Sequence, residues 1–283
     1  MAKSDLNMPI LSLAVASILV ACTHAHNGFI GFGYTGNGPS KWGNLSSEYK
    51  SCSIGNQQSP VNIMQDDAAP NAKLHDLDRL YVDANATLIN TGFNVALQFE
   101  KDGGFMTQDG KNYKLKRLIW HTPSEHTIDK QQCVLLFLQF PVELQLVHES
   151  DDGKLVVVAV LYDFGNPDSF IYQLKDALAL LAKERCSVDD GAQVQVGRVR
   201  TKALKRHTRR FFKYVGSLTT PPCTENVTWY ILGKVRKVAR DQITLLKSPL
   251  NQEFQNNARP LQPPNGRVVE LYDEAKHSAR RSN

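Results

Sequence analysis

The chain has 283 residues, enough for one large domain or two small ones. Hydrophobic residues make up 42% and charged residues 22%, which is ordinary globular usage and excludes disordered and fibrous proteins. The formal net charge of +5 is mild, and no basic stripe is interleaved with aromatic residues, so nucleic acid is not expected as a partner.

The N-terminus carries an apolar stretch at 9–21, which is too short to span a bilayer and has the length of a signal-peptide core. Small residues follow at 23–25, so residues 1–25 are predicted to be a signal peptide that leads into the secretory pathway. The segment 19–22 also fits a bacterial lipoprotein signal that would lipidate Cys22. Three N-glycosylation sequons favour the eukaryotic route, and they begin at Asn44, Asn85 and Asn226. No later segment approaches the length of a membrane span.

The cysteines suit an oxidising compartment. Cys22 would leave with the signal peptide, and the remaining four allow three pairings: Cys52, Cys133, Cys186 and Cys223. Secretion favours at least one disulfide, and four buried free thiols are the alternative. The chain has no Cys-x-x-Cys pattern, so neither a thiolate zinc knuckle nor a redox dithiol is expected.

The pattern of elements predicts one β-rich domain. Residues 28–59 have no helical period and are predicted to form an irregular arm. Segments rich in β-branched and aromatic residues predict strands at 88–90, 94–100, 113–121, 142–148, 155–163, 228–232 and 267–271. Apolar residues at helical spacing predict a helix at 168–182, and a short helix is predicted at 241–246.

Basic residues concentrate in the run 198–213. It includes Lys202, Lys205, Arg206, Arg209 and Arg210. One interpretation is a patch that binds a cell-wall polyanion, and the other is an ordinary solvated surface. The basic tail at 276–283 is predicted to be disordered.

Three segments are dense in chemically active side chains: LIWHTPSEH at 118–126, VELQLVH at 142–148 and YVGSLTTPPC at 214–223. Together with WGN at 42–44 and QSPVNI at 58–63, they resemble the α-carbonic anhydrases, most of all the plant secreted branch with its dioscorin-type storage proteins. The resemblance extends from about Gly33 to Leu271.

The resemblance implies a single, mainly β domain over residues 26–275. It would contain a twisted, mostly antiparallel sheet of about ten strands and a few short helices. A conical cleft would hold zinc on three histidines, and the family reaction is the reversible hydration of carbon dioxide to bicarbonate. Zinc on three neutral imidazoles keeps an open fourth position, where it acidifies bound water.

Two of the three zinc-ligand positions are substituted. The first two ligands of the family form a His-x-His pattern on one strand, where residues two apart share a face. Here those positions hold Ile119 and His121, and the third ligand position holds Gln145, as in dioscorin-type proteins. The position of the proton-shuttle histidine holds Phe93.

Much of the surrounding site matches the family. Glu125 and Thr219 match the pair that orients the zinc-bound hydroxide, and Glu143 matches the carboxylate that steadies the third histidine. The positions lining the apolar carbon dioxide pocket hold Val147, Leu218, Thr220 and Trp229. By resemblance, Cys52 and Cys223 form the family's disulfide, which leaves Cys133 and Cys186 free.

These substitutions predict weak or absent zinc binding, because isoleucine has no lone pair and an amide oxygen is a poor zinc ligand. The first hypothesis is therefore a weakly active or inactive family member with a storage or binding role. The second is a working carbonate dehydratase with an unusual ligand set that recruits His126 or Glu125. The third is a wall protein that binds polyanions through the run 198–213. The expected location is extracellular or in the cell wall, with the chloroplast, reached by the secretory route, as the alternative.

Between His126 and Gln145 the chain carries about seven more residues than the family, and removing 133–139 restores the family pattern. One interpretation is a genuine insertion that lengthens a hairpin beside the site. The other, which we favour, is a gene-model artefact or an alternative splice.

Overall fold

The computed structural model describes residues 31–101, 103–129, 139–184, 192–205 and 208–275. Several sequence-based expectations fall outside these residues: the signal peptide at 1–25, Cys133, Cys186, Arg206, the tail at 276–283 and all of the inserted segment except Gln139.

Fifteen strands occur within the described residues, and thirteen of them form one large twisted sheet. In chain order, β1 to β15 are Asn62–Ile63, Ala69–Pro70, Asp78–Tyr81, Ala84–Asn90, Val95–Phe99, Gly104–Gln108, Lys111–His121, Thr127–Ile128, Val142–Glu149, Leu155–Phe164, Gln193–Val199, Arg210–Ser217, Glu225–Leu232, Arg236–Val238 and Glu270–Asp273. The remaining two, β1 and β8, pair with each other in parallel.

The main path through the large sheet runs β11-β4-β5-β7-β9-β10-β13-β12-β15-β2, with β3 paired to β6, β6 also to β7, and β14 to β10. Most neighbours are antiparallel, and β10 with β13, β10 with β14 and β15 with β2 are the parallel pairs of this sheet. This confirms the predicted mostly antiparallel β fold. The resemblance implied about ten strands; ten lie on the main path, and β3, β6 and β14 pair beside it.

The helices of the described residues are short. In chain order, α1 to α5 are Trp42–Leu45, Ser51–Ile54, Ser169–Tyr172, Lys175–Lys183 and Arg240–Lys247. The helix predicted at 168–182 is divided into α3 and α4, and Asp168 caps α3 by accepting from the backbone N–H groups of Phe170 and Ile171. None of these helices is both long and apolar enough to cross a bilayer.

The large sheet has a hydrophobic cluster on each face. Val158 and Val160 of β10 belong to the cluster that α3, α4 and α5 cover, and we call this side the helix face. Val157 and Ala159 alternate with them and belong to the second cluster, on the side we call the cleft face. Because β10 is buried on both sides, its sequence is continuously apolar rather than alternating.

The N-terminal arm lacks strands in its described part and contains α1, α2 and 3-10 turns, in agreement with the predicted irregular segment. It is held covalently by a disulfide between Cys52 and Cys223. A buried guanidinium also holds it, because Arg259 donates to the backbone carbonyls of Cys52 and Ser59 at 3.0 and 2.8 Å. The same guanidinium lies over the ring of Trp42, which is fully buried.

A buried histidine on β9 faces away from the cleft. His148 lies 3.2 Å, through Nδ1, from the carbonyl of Val156 and 2.8 Å, through Nε2, from the hydroxyl of Tyr81. A neutral ring satisfies both partners, donating from Nδ1 and accepting at Nε2. Burial lowers the pKa of His148 from 6.5 to about 3. The unfolded chain therefore binds a proton below pH 6.5 that the folded chain does not.

His148 should make the fold sensitive to acid. Because its folded pKa is depressed, its contribution to stability is complete above pH 6.5 and falls by about 1.4 kcal/mol per pH unit as the pH drops toward about 3. The variant His148→Gln keeps a hydrogen-bond donor and an acceptor at this position, but its amide does not bind a proton in this pH range. Urea unfolding at about pH 7 and about pH 5 should show wild type losing about 2 kcal/mol more than the variant. Equal losses in both proteins would contradict this assignment.

Candidate functional site

A cleft of about 290 Å³ opens on the cleft face of the sheet. Its floor is formed by β7 and β9, and its walls by β5, β10, β13 and the loop that follows β12. The site residues predicted from the sequence that line it are Phe93, Ile119, His121, Gln145, Val147, Leu218, Thr219, Thr220 and Trp229.

The register of the two floor strands places the ligand positions together. Ile119 on β7 is directly opposite Gln145 on β9, and His121 is opposite Glu143. Since side chains two apart on a strand share a face, Ile119 and His121 point the same way, toward Gln145. The strands thus keep the three predicted ligand positions adjacent, although only one of them carries an imidazole.

His121 is almost completely buried, and its orientation is set by Asn257. The ring Nδ1 lies 2.8 Å from the backbone carbonyl of Asn257, so Nδ1 carries the proton and donates it there. The side-chain oxygen of Asn257 accepts from the backbone N–H of Thr122 at 2.9 Å, which fixes the carbonyl beside the ring. In the neutral ring, Nε2 of His121 is then an acceptor at the floor of the cleft.

Gln145 is tied to two buried carboxylates. Its side-chain Nε2 donates to Oε2 of Glu125 at 2.7 Å and to Oε1 of Glu143 at 3.0 Å. Both amide hydrogens are used in this way, which fixes the amide orientation and leaves Oε1 of Gln145 as a second acceptor without a hydrogen bond among the described residues. The other oxygen of Glu125 accepts from the backbone N–H of Arg259 at 3.0 Å.

Behind the floor, Glu143 anchors a buried polar chain. It accepts from the backbone N–H groups of Glu125 and His126 and pairs with Nδ1 of His126 at 2.9 Å. Nε2 of His126 lies 2.7 Å from the hydroxyl of Tyr214, which contacts Oγ of Ser59 at 2.8 Å. Burial acts to raise the pKa of Glu143, but attraction to His126 and its hydrogen bonds outweigh this and hold the pKa well below its usual range. Glu143 is therefore a buried carboxylate, and His126 is fully engaged in holding it.

Thr219 is buried in the wall, but it is not joined to Glu125. Among the described residues it makes no side-chain hydrogen bond to that carboxylate, whose Oε2 accepts from Gln145. The two residues predicted to form the hydroxide-orienting pair are therefore not hydrogen-bonded to each other in this structure.

The walls are mainly apolar, with one cation. Trp229 packs against His126 with ring centroids 4.7 Å apart and donates to the carbonyl of Ser217 at 3.0 Å. Phe93 packs against Phe32 of the arm at 4.7 Å, so its role here is packing. Arg117, two residues before Ile119, is the charged residue of the wall, and it forms no ion pair within the part of the chain that the structure describes.

Sequence reasoning missed Asn257, Arg259 and Arg117. The first two belong to a segment without regular structure, so no period marks them, although an arginine in an otherwise uncharged stretch was a weak signal. Burial lowers the pKa of Arg259 to about 10, so the guanidinium stays charged at neutral pH and offsets the nearby carboxylate of Glu125. Arg117 could have been found from its place on the same strand face as Ile119 and His121.

Comparison with known proteins agrees with this geometry. A sequence model of the eukaryotic-type carbonic anhydrases matches residues 37–273. The chain belongs to this carbonic anhydrase family. Among curated relatives, alpha carbonic anhydrase 7 of Arabidopsis thaliana is 40% identical over 235 residues, covering 83% of this chain and 81% of that protein. Dioscorin DB3L of Dioscorea polystachya is 36% identical, covering 85% and 84% respectively.

Solved carbonic anhydrase structures share the fold. A dioscorin complexed with ascorbate superposes with a TM-score of 0.80 at 35% identity, covering 86% of this chain and 98% of the dioscorin. The α-carbonic anhydrase of Thermovibrio ammonificans, in complex with sulfanilamide, gives a TM-score of 0.73 at 28% identity over 86% of this chain and all of that one. These likenesses confirm the predicted family and its plant, dioscorin-related branch.

The residues of this cleft do not fit the zinc ion of the carbonic anhydrase family. A catalytic zinc site needs three protein ligands, and the cleft offers the Nε2 of His121, one neutral amide oxygen and the alkyl side chain of Ile119. No group of three or more histidine, cysteine, aspartate or glutamate residues able to hold a metal occurs within the described ranges. His126 and Glu143 are bound to each other, and Glu125 accepts from Gln145, so recruiting any of them would break buried hydrogen bonds.

Proposed function

We propose that this chain is a carbonic anhydrase family member that has lost effective carbon dioxide hydration and serves as a storage or ligand-binding protein. The observation that supports the proposal is the amide of Gln145. It lies at the position predicted for the third ligand and donates its two hydrogens to Glu125 and Glu143. Without a metal, water in the cleft keeps a pKa far above neutrality, and the cleft generates no hydroxide.

The cleft suits a small polar organic acid. The acceptors on its floor, Nε2 of His121 and Oε1 of Gln145, can bind hydroxyl donors, and Arg117 supplies a positive charge on the wall. The related dioscorin is complexed with ascorbate, which carries both hydroxyl groups and negative charge. By similarity, we take ascorbate as the first ligand to test.

We also propose that the chain is secreted and N-glycosylated. The disulfide between Cys52 and Cys223 supports an oxidising compartment. The three sequon asparagines, Asn44, Asn85 and Asn226, are all exposed, as an oligosaccharide acceptor must be.

The test is elemental analysis of chain purified without chelators or metal columns, together with carbon dioxide hydration and ascorbate titration. We expect well under one zinc per chain, no hydration above the buffer rate, and ascorbate binding that Arg117→Gln weakens several-fold. Lys116→Gln, a neighbouring cation that pairs with Glu149 and does not line the cleft, is the matched control and should bind as wild type does. One zinc per chain with rapid hydration would overturn the proposal. Loss of binding in both variants would contradict only the assigned role of Arg117.

A further inference from the structure

A basic groove lies on the helix face of the sheet, on the side away from the cleft. Its volume is about 1010 Å³, and we define it by Tyr172, Gln173, Arg200, Lys202, Lys205 and Lys234. Strands β10 and β13 separate the two sites: Val157 and Trp229 line the cleft, and Val160 and Leu232 line a smaller pocket that shares Lys234 with the groove. The groove and the cleft are therefore distinct surfaces.

The backbone beneath the cations is firmly fixed. Gln173 accepts from the backbone N–H of Arg200 at 2.9 Å and donates to its carbonyl at 3.1 Å. The backbone N–H of Thr201 donates to Asp83 at 2.8 Å, and Arg236 donates to the carbonyl of Ala203 at 3.2 Å. Lys202 and Lys205 therefore project from an ordered turn, in fixed positions relative to Arg200.

The charges of the groove are not neutralised. Arg200, Lys202, Lys205 and Lys234 form no ion pair within the described residues, in contrast to Arg209, Arg210, Arg236 and Lys237. Two carboxylates of the neighbouring elements are engaged elsewhere. Asp168 pairs with Arg236 at 2.5 Å and caps α3, and Asp83 accepts from Thr201. Four cations with no opposing charge give a locally positive potential.

The groove also carries an aromatic surface. Tyr172 is 62% exposed at the end of α3, an unusual degree of exposure for a large aromatic side chain. Its ring already lies beneath Lys175, whose Nζ is 5.4 Å from the ring centre. An exposed ring beside four cations offers stacking for a planar or cyclic unit together with charge for its anionic groups.

We propose that this groove binds an acidic polysaccharide, a chain of uronate sugars. Carboxylates on successive sugars would face the four cations, and a sugar ring would pack on Tyr172. The proposal rests on the secretory location proposed above, because acidic glycans are the polyanions of that environment and nucleic acid is not. The proposal does not depend on whether the cleft binds zinc or ascorbate.

The test uses the full chain and de-esterified oligogalacturonate, with binding measured by calorimetry at about 0.01 M and about 0.15 M salt. The variant Lys202→Glu with Lys234→Glu should bind about thirtyfold more weakly at low salt. The control variant is Lys41→Glu with Lys73→Glu, which changes two exposed lysines outside the groove and alters the net charge by the same amount. Its affinity for the oligogalacturonate should stay within about twofold of wild type. Tyr172→Ala should weaken binding without changing its salt dependence.

Methyl-esterified oligogalacturonate, which has the same backbone without charge, should not bind. Three outcomes would overturn the proposal. They are an equal loss of affinity in the two double-lysine variants, equal affinity for the esterified and de-esterified oligogalacturonates, and tighter binding of a single-stranded oligonucleotide than of the de-esterified oligogalacturonate. The interpretation of each of these measurements is the same whether or not the cleft binds zinc or ascorbate.

Discussion

Replacing Ile119 and Gln145 together with histidine should produce a chain that binds about one zinc ion, with an affinity raised at least about a thousandfold over wild type. The two positions are directly opposite across β7 and β9, and His121 lies on the same strand face as Ile119. A histidine at 145 can donate its Nδ1 hydrogen to Glu143, which already accepts there. The floor would then present three imidazoles and a closed set of buried hydrogen bonds.

The same variant should gain carbon dioxide hydration. Removing the amide of Gln145 frees Oε2 of Glu125 to accept from the hydroxyl of Thr219, which restores the pair that orients a nucleophile. Phe93 supplies no proton relay, so the rate should rise with the concentration of a small imidazole buffer. The measurements are zinc by competition with a chromophoric chelator and stopped-flow hydration.

The single variants Ile119→His and Gln145→His are the matched controls, because each supplies two imidazoles and should stay far weaker than the double variant. If the double variant folds and still binds no zinc, the floor strands do not hold the three positions as described. If either single variant binds zinc as tightly as the double variant, a residue other than the introduced histidines is a ligand. In Ile119→His that residue would be Gln145 or another neighbour, contrary to the assigned orientation of the Gln145 amide.

Removing the disulfide by Cys52→Ser with Cys223→Ser should cost about 5 kcal/mol of unfolding free energy, by the chain-entropy estimate for a 171-residue separation. That is a large part of the stability of an ordinary domain. The bond joins α2 of the arm to the loop that carries Thr219 and the cleft wall. Its loss should therefore lower both the free energy of unfolding and the affinity of the cleft for ligands. Urea unfolding would measure the first, and ascorbate titration the second.

The control is Cys133→Ser with Cys186→Ser, which removes two thiols expected to be free and should leave unfolding unchanged. A comparable loss in that variant would show a second bridge. Stability unaffected by the loss of Cys52 and Cys223 would mean that Arg259 alone holds the arm.

The strands nearest the site were the most predictable part of the fold. β10 is a nearly continuous apolar run because it is buried on both faces, and β9 carries apolar residues between the polar residues of a recognisable motif, so both strands are visible without a structure. The sequence does not predict β12, since Arg210 and Lys213 flank two buried phenylalanines and belong to the basic run at 198–213. Basic side chains at a sheet surface conceal the strand that carries them.

The substituted ligand positions could be found from the motifs, but their consequence for Glu125 could not. Nothing in the spacing indicates that the amide of Gln145 would bridge two carboxylates 18 residues apart in the chain, or that Asn257 would set the tautomer of His121. Such contacts join remote segments through irregular backbone, where neither period nor propensity applies.

The position of the two binding surfaces on opposite faces of β10 and β13 bears on how the protein would work in a tissue. A chain attached to a matrix through Lys202 and Lys234 would keep the cleft face turned toward the surrounding fluid. Attachment and ligand exchange then do not compete for space. An immobilised layer of such molecules would act as a reservoir that small solutes enter and leave freely.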